Sequence, residues 1–329
     1  MKKILLCFDN SETSLVASEV ALRLAKTFGS EIVGIHGYNA AMHEGAFKSM
    51  EPFLPSRYQK EETLQKQREV HNDLIHTGME QISLSCLKSL NGSFHRAGIH
   101  FKTVVREGKN FKALQEILSS EGGDLVVVGS SGFNCNGNGF LGSVCLRLLR
   151  GNDKDFLIIK KDVNHTQPTG VVCLDGSSTA LHALRAAKRF VEQCDATLHL
   201  LYVFDSSLHR NLFGRLKESV MDGEHFSFNS KEQERLHDEF IDKGLATVGK
   251  MILDEAEREV FSTGPEYMKK ILDGPIYRRI CDYASEVEAD LLFVGRTGRH
   301  FTEGIDIGSV AENVVRYAPC SVWVAGSKR

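Results

Sequence analysis

The sequence predicts an α/β protein built as two repeated Rossmann-like, doubly wound units, and three observations carry that expectation. A run of strand character, Asp124-Leu125-Val126-Val127-Val128, leads into Gly129-Ser130-Ser131-Gly132, nine further residues and Gly142-Ser143. The same arrangement returns 166 residues later, where Asp290-Leu291-Leu292-Phe293-Val294 leads into Gly295-Arg296-Thr297-Gly298, nine residues and Gly308-Ser309. That single offset also pairs Asp9 with Asp175, Ser11 with Ser177, Thr13 with Thr179, Gly108 with Gly274 and Asp124 with Asp290, so the chain is one unit written twice. Strand patterns alternate with helical ones, which implies a parallel sheet with helical crossovers.

Each unit begins with a strand at 3–8 or 171–174, closed by an Asn-Ser or Gly-Ser-Ser turn. A helix follows, because Ala17, Val20, Ala21, Leu24 and Ala25 fall on one face, as do Ala183, Leu184, Ala187, Phe190 and Val191. Strand two is expected at 31–36 and 197–203. Long polar excursions, 39–62 and 205–230, lead into helices at 62–90 and 231–257. Strand three (100–106; 267–272) precedes Gly108 or Gly274, and a short helix carries Leu114, Ile117 and Leu118, or Ile276, Ile280 and Tyr283. Strand four bears the glycine loop, a helix starts at Ser143 or Ser309, and strand five is 156–159 or 321–324. The stretch 160–169, with Asn164, Thr166, Gln167 and Pro168, has linker composition, which sets the expected domains at 1–162 and 168–329. A chain of 329 residues suits two domains at roughly 150 residues each.

Apolar content of 42%, charged content of 25% and a net charge of −3 give no global signal for nucleic acid or an anionic membrane. The apolar start is interrupted by Asp9, and no later apolar run approaches the ~18 residues of a membrane span, so the chain is expected to be soluble and cytoplasmic. Eight scattered cysteines without a Cys-x-x-Cys pair read as reduced, mostly buried thiols.

Glycines at the carboxyl end of a buried parallel strand, followed by a helix start, suit phosphate binding. The first glycine is expected to let the chain leave the strand in a tight turn, and the second to bring main-chain N–H groups close to phosphate. Gly142-Ser143 presents the open amides of a helix start, its serine either bonding phosphate or capping the helix.

With Asp9 after strand one, the G-x2-G-x9-G-S loop after strand four and the closing Tyr317-Ala318-Pro319-Cys320-Ser321-Val322, the chain resembles the universal stress protein family, specifically its tandem members. The resemblance implies five-stranded parallel sheets in the order 3-2-1-4-5 and binding of ATP or AMP, with Mg2+ as an accompanying cofactor. It also implies pairing of the two units as a pseudo-dimer through their fifth strands; a further homodimer is left open. Carried over by position, the first nucleotide site is Asp9, the main chain near Gly37, Gly129, Gly132, Gly142, Ser143 and Val144. The second is Asp175, Val203, Gly295, Gly298, Gly308, Ser309 and Val310, to which this sequence adds Arg296 and Arg299. Asp9 would accept a ribose hydroxyl or hold phosphate-bound Mg2+ through water.

The loops depart from a Walker pattern in having no lysine. The first is neutral, whereas the second mixes Arg296 and Arg299 with Glu303 and Asp306. The first unit also has Asn152-Asp153-Lys154-Asp155 where the second has Ala-Pro-Cys.

The excursions repeat as well: His43 matches His209, Phe47 matches Phe213 and His71 matches His237. The four histidines either form a transition-metal or ligand site with Glu44, Glu51 and Asp73 nearby, or join helix to excursion by packing. Met42, Met50 and Phe47 read as an apolar cover over the sheet edge or partner unit. No Ser-His-Asp order or paired reacting carboxylates can be assigned. The leading expectation is therefore a stress-response regulatory protein that binds adenine nucleotide. The alternatives are a nucleotide-dependent enzyme (a slow ATPase, or nucleotidyl or phosphoryl transfer) and a small-molecule or metal sensor that uses the histidine-bearing insertions.

Overall fold

A computed structural model describes residues 1–132, 141–163, 166–207, 211, 215, 243–260, 267–299 and 306–327. The chain divides into two compact units, Met1–Asp162 and Val163–Arg329. Of the expected helix at 231–257, residues 231–242 lie outside the described residues, as do His209 and His237, and 243–257 are helical.

In the first unit β1 (Lys3–Cys7) is followed by α1 (Glu12–Phe28), β2 (Glu31–Tyr38), α2 (Ala40–Met50), α3 (Glu61–Arg96), β3 (Phe101–Glu107), α4 (Asn110–Glu121), β4 (Leu125–Gly129), α5 (Ser143–Arg150) and β5 (Asp155–Ile159). All strand pairs are parallel, in the order β3-β2-β1-β4-β5. The second unit contains β6 (Thr169–Cys173), α6 (Ser178–Cys194), β7 (Thr197–Phe204), α7 (Lys243–Val260), β8 (Tyr267–Asp273), α8 (Ile276–Glu286), β9 (Leu291–Gly295), α9 (Ser309–Tyr317) and β10 (Ser321–Ala325). Its order, β8-β7-β6-β9-β10, is again 3-2-1-4-5 counted within the unit, and again wholly parallel.

The central strands are apolar throughout because helices cover both faces of the sheet. Every residue of β4, β5 and β10 is buried. Helix α1 starts where the Ser11 side chain accepts from Ser14 N and ends at Gly29, whose positive φ of 63° lets its N–H return to Ala25 O. Helix α6 starts the same way on Ser177 but ends on Asp195 at φ 48°, so the repeat keeps the start and varies the stop. In the second unit Phe293 is fully buried between Phe190 and Trp323, each 5.9 Å away between ring centres. Burial pushes the Cys7 thiol up and that of Cys145 up to about 12, so both pack as small protonated groups.

The first excursion differs from expectation. It holds helix α2 and two single 3-10 turns, Glu51–Phe53 and Ser56–Tyr58, in place of an irregular polar segment, and α3 runs 36 residues. Met42 and Met50 do not cover the sheet edge but stand 62% and 63% exposed. Only the inner part of α3 packs on the sheet, where Leu87, Leu90 and Phe94 are buried and Phe94 stacks on Phe101 at 4.6 Å.

His199, buried on β7, shares a 2.7 Å hydrogen bond with Tyr283 Oη. Burial holds its imidazole below the ordinary histidine range. The unfolded chain therefore takes up a proton that the folded unit refuses. This contribution is complete above the unfolded pKa near ~6.5 and is lost as pH falls through that value toward the lower folded one. Trp323 is the one tryptophan of the chain and sits in this unit, so its emission reports the unit's unfolding. The urea midpoint followed this way is expected to fall between pH 7 and pH 5. His199→Gln, which keeps a polar group without the titration, is expected to flatten that slope.

Candidate functional site

In each unit the switch point of the sheet lies between its first and fourth strands, where the connections run off in opposite directions. Phe8 N donates to Ile35 O at 3.1 Å, closing β1, and Asp9 follows at the open end. Asp9 Oδ1 accepts Ser11 N at 3.0 Å, and Asp175 Oδ1 accepts Ser177 N at 2.9 Å. Both are aspartate turns that fix the carboxylate just before a helix start. The second loop glycine lies directly over that carboxylate, since a Cβ on Gly132 would sit 3.2 Å from Asp9 Oδ2 and one on Gly298 3.2 Å from Asp175 Oδ2. In the second unit Asp175 Oδ2 also accepts Arg299 N at 3.1 Å.

A threonine clasp ties each loop to the helix after the first strand. Thr13 Oγ1 donates to Ser131 O at 2.7 Å and accepts Ser131 N at 3.4 Å. Thr179 Oγ1 donates to Thr297 O at 2.5 Å and accepts Thr297 N at 3.3 Å. Farther along, Gly142 N donates to Ser130 O at 2.6 Å, and Gly308 N to Arg296 O at 2.8 Å. The two ends of the nine-residue loop are thereby pinned together and present the first amides of α5 or α9 beside the aspartate. The sequence offered a sign of this clasp, since Thr13 and Thr179 match at the offset, but residue type alone does not reveal which main chain a hydroxyl will reach.

Three local expectations need correction. Gly129 and Gly295 do not have the positive φ of a tight turn. They are glycine because helix α1 or α6 begins on top of them: a Cβ on Gly129 would collide with Thr13 Oγ1 and lie 3.0 Å from Ser14 N, and one on Gly295 would lie 2.5 Å from Thr179 Oγ1 and 2.6 Å from Ala180 N. Ser143 and Ser309 are not caps. Gly142 and Gly308 hold that position without a side-chain bond, which leaves both serine hydroxyls on the exposed first turn. Arg296 is not at the loop surface: it is buried, with Nη1 donating to Asp306 O at 3.0 Å, and so braces the loop from within.

The second unit opens into a cavity of about 610 Å3. Asp175, Val203, Gly295, Arg296, Gly298, Arg299, Gly308, Ser309 and Val310 all line it, so the structure brings together every position expected of that site. Leu245 and Val248 of α7 and Ile276 and Ile280 of α8 add apolar lining; sequence reading had placed Ile276 and Ile280 only as part of a short helix and had not singled out the other two. In the first unit Asp9, Gly129, Gly132 and Gly142 converge as described, with Ser143 and Val144 opening α5. Gly37 lies under α4, where a Cβ would be 3.0 Å from Asn110 O and 3.2 Å from Ala113 Cβ.

The two histidines expected in the first excursion differ in their surroundings. His71 stacks on Phe47 at 4.3 Å, joining α3 to α2. Glu44 bonds His76 at 2.8 Å, and Glu51 takes Arg68 through two bonds of 2.6 and 2.7 Å, so these carboxylates are engaged elsewhere. His43 is exposed on α2, and among the described residues no group of three or more His, Cys, Asp or Glu is arranged to hold a metal ion. No helix among the described residues is long and apolar enough to cross a membrane.

Fold and cleft together define the class, a duplicated α/β protein with an aspartate and a glycine loop at the switch point of each sheet. The model of the universal stress protein family matches residues 1–160 and again 170–326, and the chain belongs to that family. A universal stress protein of Methanocaldococcus jannaschii is 28% identical over 154 residues, 47% of this chain and 79% of that protein. Solved structures that resemble the whole chain include two universal stress protein folds. A universal stress protein from Archaeoglobus fulgidus has a TM-score of 0.62 at 20% identity, covering 99% of this chain and 98% of its own. One described as a putative universal stress protein from Pseudomonas aeruginosa has a TM-score of 0.60 at 15% identity, covering 99% and 93%.

Proposed function

We propose that the protein binds adenine nucleotide, ATP or AMP, at its glycine loops and uses occupancy to bias its conformation or choice of partner in a stress response. The observation that carries this is the arrangement in the second unit, where a fixed carboxylate, an open helix start and an apolar recess share one cavity of about 610 Å3. That volume lies within the range of about 300–1,000 Å3 usual for small-ligand sites. Family membership supports the reading independently.

The parts divide by chemistry. Asp9 and Asp175 keep lone pairs beyond those used by main-chain N–H groups, which suits them to ribose hydroxyls. Gly142, Ser143 and Val144, with their counterparts Gly308, Ser309 and Val310, offer main-chain amides and a hydroxyl to phosphate. Val203 and the isoleucines of α8 suit a base, and the main chain at Gly37 runs on past the end of β1 in the first unit. Mg2+ would arrive on the phosphate chain, with Asp9 or Asp175 as a carboxylate to hold it through water, and would offset phosphate charge.

Thermal unfolding with ATP or AMP in Mg2+ tests the proposal. At a hundredfold excess over Kd a single site adds about 2.7 kcal/mol, so the midpoint is expected to rise by several degrees with adenine nucleotide and not with equal inorganic phosphate. An unchanged midpoint at millimolar ATP and AMP would count against it.

A further inference from the structure

We propose that the two sites are unequal: the second unit is the tighter one and takes a nucleoside di- or triphosphate in preference to a monophosphate, with Arg299 as the residue that sets this preference. This rests on the nucleotide reading above and adds which unit binds and which phosphate length it selects.

The base end separates the units first. In the second, Val203 faces the cavity together with Ile276, Ile280, Leu245 and Val248. The 166-residue offset places Gly37, Asn110, Leu114, Met79 and Ile82 at those positions in the first unit. There the opening turn of α4 presses on the strand, so that even a methyl group at Gly37 would meet the Asn110 carbonyl at 3.0 Å. A polar, exposed Asn110 stands where Ile276 lines the second cavity. A flat apolar base therefore finds a prepared wall in one unit and a packed helix turn in the other.

The charge beside the aspartate separates them again. Arg299 follows Gly298, its N–H donates to Asp175 Oδ2 at 3.1 Å, and the residue is part of the cavity lining. Its Nη2 lies 3.3 Å from where a Cβ on Gly176 would be, so the guanidinium crosses the turn that follows β6. The same position in the first unit is Phe133, with no charge. A triphosphate carries more negative charge past this cation than a monophosphate does, and arginine matches phosphate oxygens in pairs. Asp306, exposed where the loop returns, opposes part of that attraction and Mg2+ offsets it.

Calorimetric titration of the full chain with ATP and with AMP, in Mg2+, tests this. ATP is expected to fill one tight site per chain, which Gly308→Val removes, while Gly142→Val acts on the weaker step alone. Arg299→Ala, a change at a solvent-facing side chain, is expected to weaken ATP about tenfold and AMP less than about threefold, with Arg299→Lys recovering part of the loss. Equal weakening of ATP and AMP by Arg299→Ala, or a tight step that survives Gly308→Val and vanishes in Gly142→Val, overturns the inference while leaving nucleotide binding in place. A wild-type chain that takes neither nucleotide overturns the reading beneath it as well.

Discussion

Gly295→Ala is expected to lower the stability of the second unit by about 2–3 kcal/mol, a large effect for adding one methyl group. The new Cβ would lie 2.6 Å from Ala180 N and 2.8 Å from the Thr179 carbonyl carbon, both main-chain atoms of the first turn of α6. Neither can rotate aside as a side chain would, so the helix must lift from the sheet or the strand end must bend. Either movement also pulls Thr179 Oγ1 from Thr297, opening the clasp that holds the loop. Urea unfolding followed by Trp323 emission measures the change. Gly298→Ala is the comparison, because its Cβ would approach only the Asp175 carboxylate, at 3.2 Å, and should leave the midpoint nearly unmoved. Equal shifts for the two variants would mean that the close approach of helix to strand is not what demands glycine at 295.

Asp175→Ala is expected to reduce ATP affinity of the second unit by about tenfold to a hundredfold, while changing its unfolding midpoint far less than Gly295→Ala does. The carboxylate accepts Ser177 N on one oxygen and Arg299 N on the other, so it fixes the helix start and the loop relative to each other. It also lines the cavity, where the proposed function gives it a ribose hydroxyl to accept. Equilibrium dialysis with labelled ATP measures the loss. Undiminished binding in the variant would remove Asp175 from the site and with it the argument that the turn after the first strand carries function.

Much of this architecture was legible in the sequence because the signals are periodic and doubled. Apolar strands such as Leu125-Val126-Val127-Val128 need no partner to be recognised, and the 166-residue offset marks which glycines and aspartates belong together. The reasons behind those residues were less legible. Gly129 and Gly295 look like turn glycines until the helix resting on them is seen, since crowding by a distant segment leaves no local trace. Helix α2 escaped notice because its apolar residues Met42 and Met50 remain exposed, so no face of it repeats toward a core. Arg296 read as a phosphate ligand by its place in the loop, but its length lets it turn inward to the Asp306 carbonyl. The excursion histidines left metal or ligand binding and packing both open by residue type. Packing uses His71 through its ring face against Phe47, a role any flat side chain could fill.

Occupancy of the cleft between the first and fourth strands by adenine nucleotide is read most directly from the identity and number of small molecules the folded chain retains. The purified protein, equilibrated with ATP and Mg2+ and freed of unbound ligand, would be denatured and the released molecules weighed by mass spectrometry. The wild type is expected to release adenine nucleotide at one or more per chain, and Gly308→Val to lose the tightly held equivalent. Release of no nucleotide, or of the same amount from Gly308→Val and Gly142→Val combined in one chain as from the wild type, would contradict that occupancy.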